Sequence, residues 1–315
     1  MDCIISAIYQ ITPHMRKGEP TLTRGMTPDH YIGGLYSFRG LEKPVVLFVN
    51  ENDIEFKGSL MSTEEMLHGM IPDKQFLKDI KFVKIKLENF YNKFDKHWKR
   101  SIEISEKYNN QLFCWHPPIT CVRPDFFNYV YNVLNYDCAV WVDAALSNES
   151  YFPLKYGGTW HDWELIDWNN YYPTNKEATF NPKLGNRLIE LTKNYGGVIC
   201  GNRSMNQEPA DFIESKLGKF NRNFAATGAI MGYSKPFFSK FYEAWNNALD
   251  IFIEGYDGIF TEIEILSYLN IQFNFAKLIW TNYSSLDEMT QGSMQDFFRN
   301  LIYDDKQICF NNTNV

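Results

Sequence analysis

The stretch Tyr136–Leu146, YDCAVWVDAAL, is apolar from Cys138 to Val142, then stops on Asp143 and two alanines. A short apolar run rich in β-branched and aromatic residues, bounded by polar ones, has the length of a buried strand rather than a helix. Runs of the same kind recur at Cys3–Ile8, Val45–Val49, Phe82–Ile85 and Val198–Cys200. Between them, Pro28–Phe38, Trp98–Tyr108 and Pro124–Leu134 carry helical spacing, and so do Pro236–Ile253 and Phe260–Leu269 further on. Strands alternating with helices predict an α/β protein with a mostly parallel sheet flanked by helices.

That topology gives Asp143 a place. In an open α/β sheet, ligands bind beyond the carboxyl ends of the strands. The helix over Pro124–Leu134 begins Arg-Pro-Asp, with Pro124 suited to the first turn. It runs down to a loop, and the strand at Cys138 runs back up, so Arg123 and Asp143 are expected at one edge. Arg123 and a helix N-terminus offer charge and donors to a phosphate. Asp143 offers oxygens to a divalent cation bridging that phosphate. The plain alternative is that both are ordinary residues at element ends.

Composition narrows the function classes. The 315 residues are 44% hydrophobic and 22% charged, which suits a full core and argues against disorder. The net charge of −7 comes without a long single-sign block, so no nucleic-acid-coating surface is expected. The six cysteines form no Cys-x-x-Cys pair, and Cys3, Cys138 and Cys200 lie in apolar runs as reduced core residues. No signal-peptide pattern opens the chain and no apolar run approaches a membrane span, so a cytoplasmic protein is expected.

Aromatics make up 17% of the chain, and several crowd one polar segment, SNESYFPLKYGGTWHDWELIDWNNYYP, which follows Asp143 and fits no simple period. Flat rings among amide and carboxylate groups suit a sugar, whose CH faces stack while its hydroxyls take hydrogen bonds. Trp160, His161, Asp162 and Trp163 are its candidate substrate contacts, with a satellite core as the plain alternative. FAATGAIMGYSKPF (Phe224–Phe237) and GGVICGNRS (Gly196–Ser204) lead into small residues that either admit a ligand or relieve strand packing. DGIFTEIEIL adds Asp257, Glu262 and Glu264, and Glu262 could serve as a base or orient an acceptor hydroxyl. Phosphate-loop, nucleophile-elbow, zinc-protease and dinucleotide fingerprints are absent.

VWVDAALS (Val140–Ser147), preceded by an Arg-Pro helix and followed by Gly-rich strands and Thr261-Glu262, resembles the HtrL/YibB-like group of glycosyltransferases. The resemblance runs in order from SAIYQI (Ser6–Ile11) onward. It implies a single GT-A-like domain with a Rossmann-type mixed sheet, a nucleotide-sugar-binding half over residues 1–147 and an acceptor-binding half over 148–315. It also implies a nucleotide-sugar donor, with UDP the expected nucleotide, and transfer to a hydroxyl of a glycan or small-molecule acceptor, with a homodimer allowed. Asp143 would stand first in the Asp-x-Asp motif of such enzymes, reaching the donor and a Mn²⁺ or Mg²⁺ ion. Arg123 and Tyr9 would contact the donor, Arg123 at its diphosphate, and Glu262 would lie near the acceptor. Ala145 takes the place of the second Asp, which weighs against tight metal binding. A carbohydrate-binding protein on a degenerate transferase scaffold is the rival reading, and a nucleotide-dependent interaction module is a third.

Overall fold

A computed structural model describes residues 1–8, 35, 37–41, 43–56, 58–71, 73–86, 88–107, 119–144, 182–203, 205–222, 225–281 and 308–311. The first strand, β1 (Asp2–Ile8), lies inside an eight-stranded sheet, third from one edge, and its residues from Cys3 onward are buried. A strand covered on both faces needs an apolar run rather than alternation, and DCIISAI is one. β2 (Val45–Asn50) pairs parallel to it, Ile4 against Val45 and Ile8 against Val49. β5 (Ile80–Ile85) closes that side, parallel to β2, while β3 (Ile54–Phe56) and β4 (Ser59–Met61) form a separate hairpin.

β6 (Cys138–Val142) pairs parallel to β1 on its other side, Ile4 against Val140. The order continues from β6 through β8 (Ala225–Ser234), β7 (Gly197–Arg203) and β9 (Lys277–Thr281) to β10 (Ile308–Asn311). β8 and β10 run against the rest. The result is the mixed, mostly parallel, Rossmann-type sheet flanked by helices that the resemblance implied. Four expected strands have their bounds within two residues of the observed ones. The fifth, Val198–Cys200, lies in the first half of the longer β7.

Helices cover both faces. α1 (Thr63–Met70), capped by Ser62 and Glu65 in a reciprocal box, and α2 (Lys74–Lys78), capped by Asp73, follow the hairpin. α3 (Glu88–Lys107) starts ten residues before the expected Trp98, because its buried line of Phe94, His97 and Ser101 is only partly apolar. α4 (Arg123–Asn132), α5 (Pro182–Tyr195), α6 (Gln207–Leu217), α7 (Lys235–Gly255) and α8 (Glu262–Phe273) complete the set. Of the expected Pro28–Phe38 helix, residues 28–34 and 36 lie outside the described residues, and Ser37–Leu41 is a 3₁₀ turn. No described helix is long and apolar enough to cross a membrane.

Alternate residues of each strand serve the two core layers. Cys3, Ile5, Phe48 and Trp141 face α4, α7 and α8, whereas Ile4, Leu47, Val140 and Val142 face the other layer with α5. Part of the aromatic excess is spent here. Tyr233 stacks on Phe241 at 4.1 Å between centroids and meets Phe127 edge-on at 5.3 Å. The buried Tyr131 hydroxyl donates to the carbonyl of Tyr233 and accepts the amide of Ala139 at 3.1 Å, tying α4 to two strands. Gly232 lets α5 lie against β8, since a Cβ there would stand 2.4 Å from the Thr192 hydroxyl.

α3 also fixes the connection between α7 and α8. His97, fully buried, stacks on Phe260 at 3.7 Å, and Arg100 donates to the carbonyls of Tyr256 and, at 3.2 Å, Ile253. Burial first, and the Arg100 charge second, push the His97 imidazole down to about 3. An unfolded histidine near 6.5 takes a proton that the folded one refuses until about 3. Stability from His97 is therefore present above about pH 6.5 and is lost as pH falls towards 3, at roughly 1.4 kcal/mol per pH unit. Urea unfolding at pH 7, 5 and 4 should show the loss, and His97→Phe should flatten it; an unchanged slope in the variant would assign the acid sensitivity to other groups.

Candidate functional site

The strand order reverses at β1. The chain builds outward through β2 and β5, then returns to place β6 on the opposite side, which makes the carboxyl ends of β1 and β6 the switch point where such sheets hold ligands. The β1–β6 ladder ends at the Ile5–Trp141 pair. One residue further, the buried Ser6 hydroxyl donates to the carbonyl of Val142 at 2.7 Å, holding the end of β6 in place. Asp143 comes next, its side chain 29% exposed, while the following Ala144 is buried.

Arg123 reaches that carboxylate from the first residue of α4, a helix whose N-cap, Val122, makes no side-chain cap and whose second residue is Pro124. Its guanidinium lies over the Trp141 ring at 5.2 Å. Asp143 is the first residue beyond β6, two after Trp141, and the arginine stacked on the ring also reaches its carboxylate. Arg123 Nη2 donates to Asp143 Oδ2 at 3.1 Å. Nη1 donates to Glu262 Oε1 at 2.5 Å. The arginine side chain is 8% exposed and that of Glu262 6%.

Glu262 is the first residue of α8. Thr261 caps the helix, accepting the amide of Ile263 at 3.2 Å, and Glu264 returns the box by accepting the Thr261 amide at 2.7 Å. Burial pushes the Glu264 carboxyl above its ordinary range, with the Thr261 hydrogen bonds opposing the shift. The Glu262 amide donates to the Thr120 hydroxyl at 3.3 Å, joining α8 to the turn before α4. Glu262 Oε2 is buried with no hydrogen-bond partner among the described residues. Across from the pair, Gly228 on β8 leaves room: a Cβ there would sit 2.3 Å from Arg123 Nη1 and 2.8 Å from Glu262 Oε1.

The structure thus brings together three residues singled out from sequence, namely Arg123, Asp143 and Glu262. Tyr9, Trp160, His161, Asp162 and Trp163 lie outside the described residues. Asp257 is exposed, and Glu264 serves its own helix cap. The small residues of FAATGAIMGYSKPF do not end in a ligand loop. They are interior to β8, where Gly228 and Gly232 admit buried neighbours. Gly228, Ser6, Thr120 and the stacking role of Trp141 went unread, and only the glycine, as a small residue in a strand, carried a signal.

A divalent ion fits the described residues poorly. Among them no three His, Cys, Asp or Glu side chains gather to hold a metal. The two carboxylates near the switch point both face Arg123, whose fixed positive charge opposes a cation beside them.

No protein-family model and no curated protein matches the chain, so the HtrL/YibB-like resemblance rests on the residues quoted for it. Among solved structures the chain is similar to core-mannan synthase A from Aspergillus fumigatus, in a Mn/GDP form. The identity is 11% and the TM-score 0.41, with 85% of this chain and 69% of that one covered. A likeness at that level fixes neither activity nor substrate.

Proposed function

We propose that the chain is a glycosyltransferase that binds a nucleotide-sugar donor, with UDP the expected nucleotide, in the crevice between β1 and β6. It would pass the sugar to a hydroxyl of a glycan or other acceptor. The observation that carries this is Asp143, the partly exposed member of an otherwise buried charge cluster, held at the topological switch point by Arg123. In this reading the 1–147 half takes the nucleotide and the 148–315 half, with the Trp160–Trp163 segment, takes the acceptor.

The chemistry assigns the parts. Transfer breaks the bond between the anomeric carbon and the diphosphate oxygen, forms one to the acceptor oxygen, and releases the acceptor proton to a base. The protein's main task is to stabilise developing charge and hold the donor in line. Arg123, Asp143 and Glu262 together carry one positive and two negative charges. Such a cluster offers acceptors to ribose or sugar hydroxyls more readily than donors to a diphosphate. Asp143 then orients the donor through its hydroxyls, and Arg123 contributes a fixed positive charge behind it.

Calorimetry with UDP-, GDP- and CMP-sugars, with and without Mn²⁺, followed by a donor-turnover assay, tests the reading. We expect one nucleotide class to bind and be hydrolysed or transferred. Absence of binding by all three sinks the donor assignment. Glycan binding that persists without any donor turnover would favour the carbohydrate-binding alternative that Ala145 raises.

A further inference from the structure

Deepening that reading of the same site, we propose that Glu262 is a positioning residue that locks Arg123, and through it Asp143, rather than a base acting on the acceptor. A general base has to come within about 3 Å of the hydroxyl it deprotonates. The Glu262 side chain is 6% exposed, and one of its oxygens is already taken by Arg123 Nη1 at 2.5 Å. The other is covered, with no hydrogen-bond partner among the described residues. The surroundings build the lock from every side. Thr120 takes the Glu262 amide, Trp141 floors the guanidinium, and Gly228 leaves a gap where any Cβ would collide with both Arg123 and Glu262.

The charges explain why a buried carboxylate is kept. The hydrogen bond to Asp143 reaches a partly exposed side chain, which by itself gives the guanidinium no fixed point. A second, buried carboxylate on Nη1 fixes the plane of the guanidinium, because its two nitrogens then satisfy acceptors at fixed points. Asp143 inherits a single orientation, which is what donor alignment requires. Gly228 belongs to the same device: it is the point on β8 where the ion pair is allowed to exist.

Two readouts test this, one independent of turnover. In ¹⁵N-labelled protein, the Arg123 guanidinium resonance, assigned by its loss in Arg123→Lys, should be slowly exchanging in the wild type. It should stay so in Glu262→Gln, whose amide oxygen can still accept from Nη1, and be averaged away in Glu262→Ala and Gly228→Ala. In turnover, Glu262→Gln should keep kcat within about tenfold of wild type with the same pH profile, the loss expected of one weakened hydrogen bond. Glu262→Ala should raise the donor KM by about tenfold or more. A Glu262→Gln enzyme slowed a hundredfold or more, with the acidic limb of its kcat profile gone and the arginine resonance unchanged, would make Glu262 the base and overturn the lock. An arginine signal indifferent to Glu262→Ala overturns it too. If no nucleotide-sugar is turned over at all, the donor assignment fails while the resonance still decides whether Glu262 holds Arg123.

Discussion

Asp143→Ala should leave a folded protein that no longer handles its donor. The side chain is the partly exposed arm of the cluster, and its removal leaves the buried Arg123–Glu262 pair in place. Stability should therefore change by no more than about 1 kcal/mol, the range of partly exposed ion pairs. Donor turnover, measured as kcat/KM, should fall by about 10²–10³-fold, as it does when one preorganised polar group at a reacting centre is removed. Asp143→Asn should lie between wild type and Asp143→Ala, since it keeps one oxygen acceptor and loses the charge. Wild-type turnover in Asp143→Ala would remove the residue from the site.

Arg123→Met should do the reverse, costing stability before anything else. It strands Glu262, a buried carboxylate whose one described side-chain partner is this arginine, and breaking a buried pair from one side costs about 3–5 kcal/mol. The double change Arg123→Met with Glu262→Leu should recover most of that loss, because a buried pair replaced by apolar groups of similar size is often neutral. Urea unfolding of wild type, both single variants and the double variant completes the cycle. Equal losses in the single and double variants would show that the arginine stabilises through its packing on Trp141 and not through its charge.

Those predictions depend on residues whose legibility in the sequence differed for physical reasons. β1, β2 and β6 were readable because strands covered on both faces must be apolar throughout, and Cys3–Ile8, Val45–Val49 and Cys138–Val142 are. The periodicity marks only the second half of α3, since it counts apolar residues and two of the buried positions are His97 and Ser101. α1 leaves no periodic signal although Ser62 and Glu65 spell its capping box, because its helical turns are few. Arg123 and Asp143 could be placed at one edge by topology alone. That their charges meet Glu262 could not, since a contact across 139 residues leaves no local pattern. Gly228 shows the same limit: its reason is the bulk of two side chains from distant helices.

The spacing of the charge cluster also sets an order of events during synthesis. Arg123 and Asp143 leave the ribosome close together, and β6 finds β1, already made, through pairings that close a loop from Ile4 to Val140. Glu262 emerges later, after β7 and β8 have been translated. At roughly 5–20 residues per second, the 139 residues from Arg123 to Glu262 take about 7–28 seconds, so its partner is already waiting. The carboxylate can then be buried against a counter-charge that precedes it, so closing α8 over the sheet traps no orphan ion.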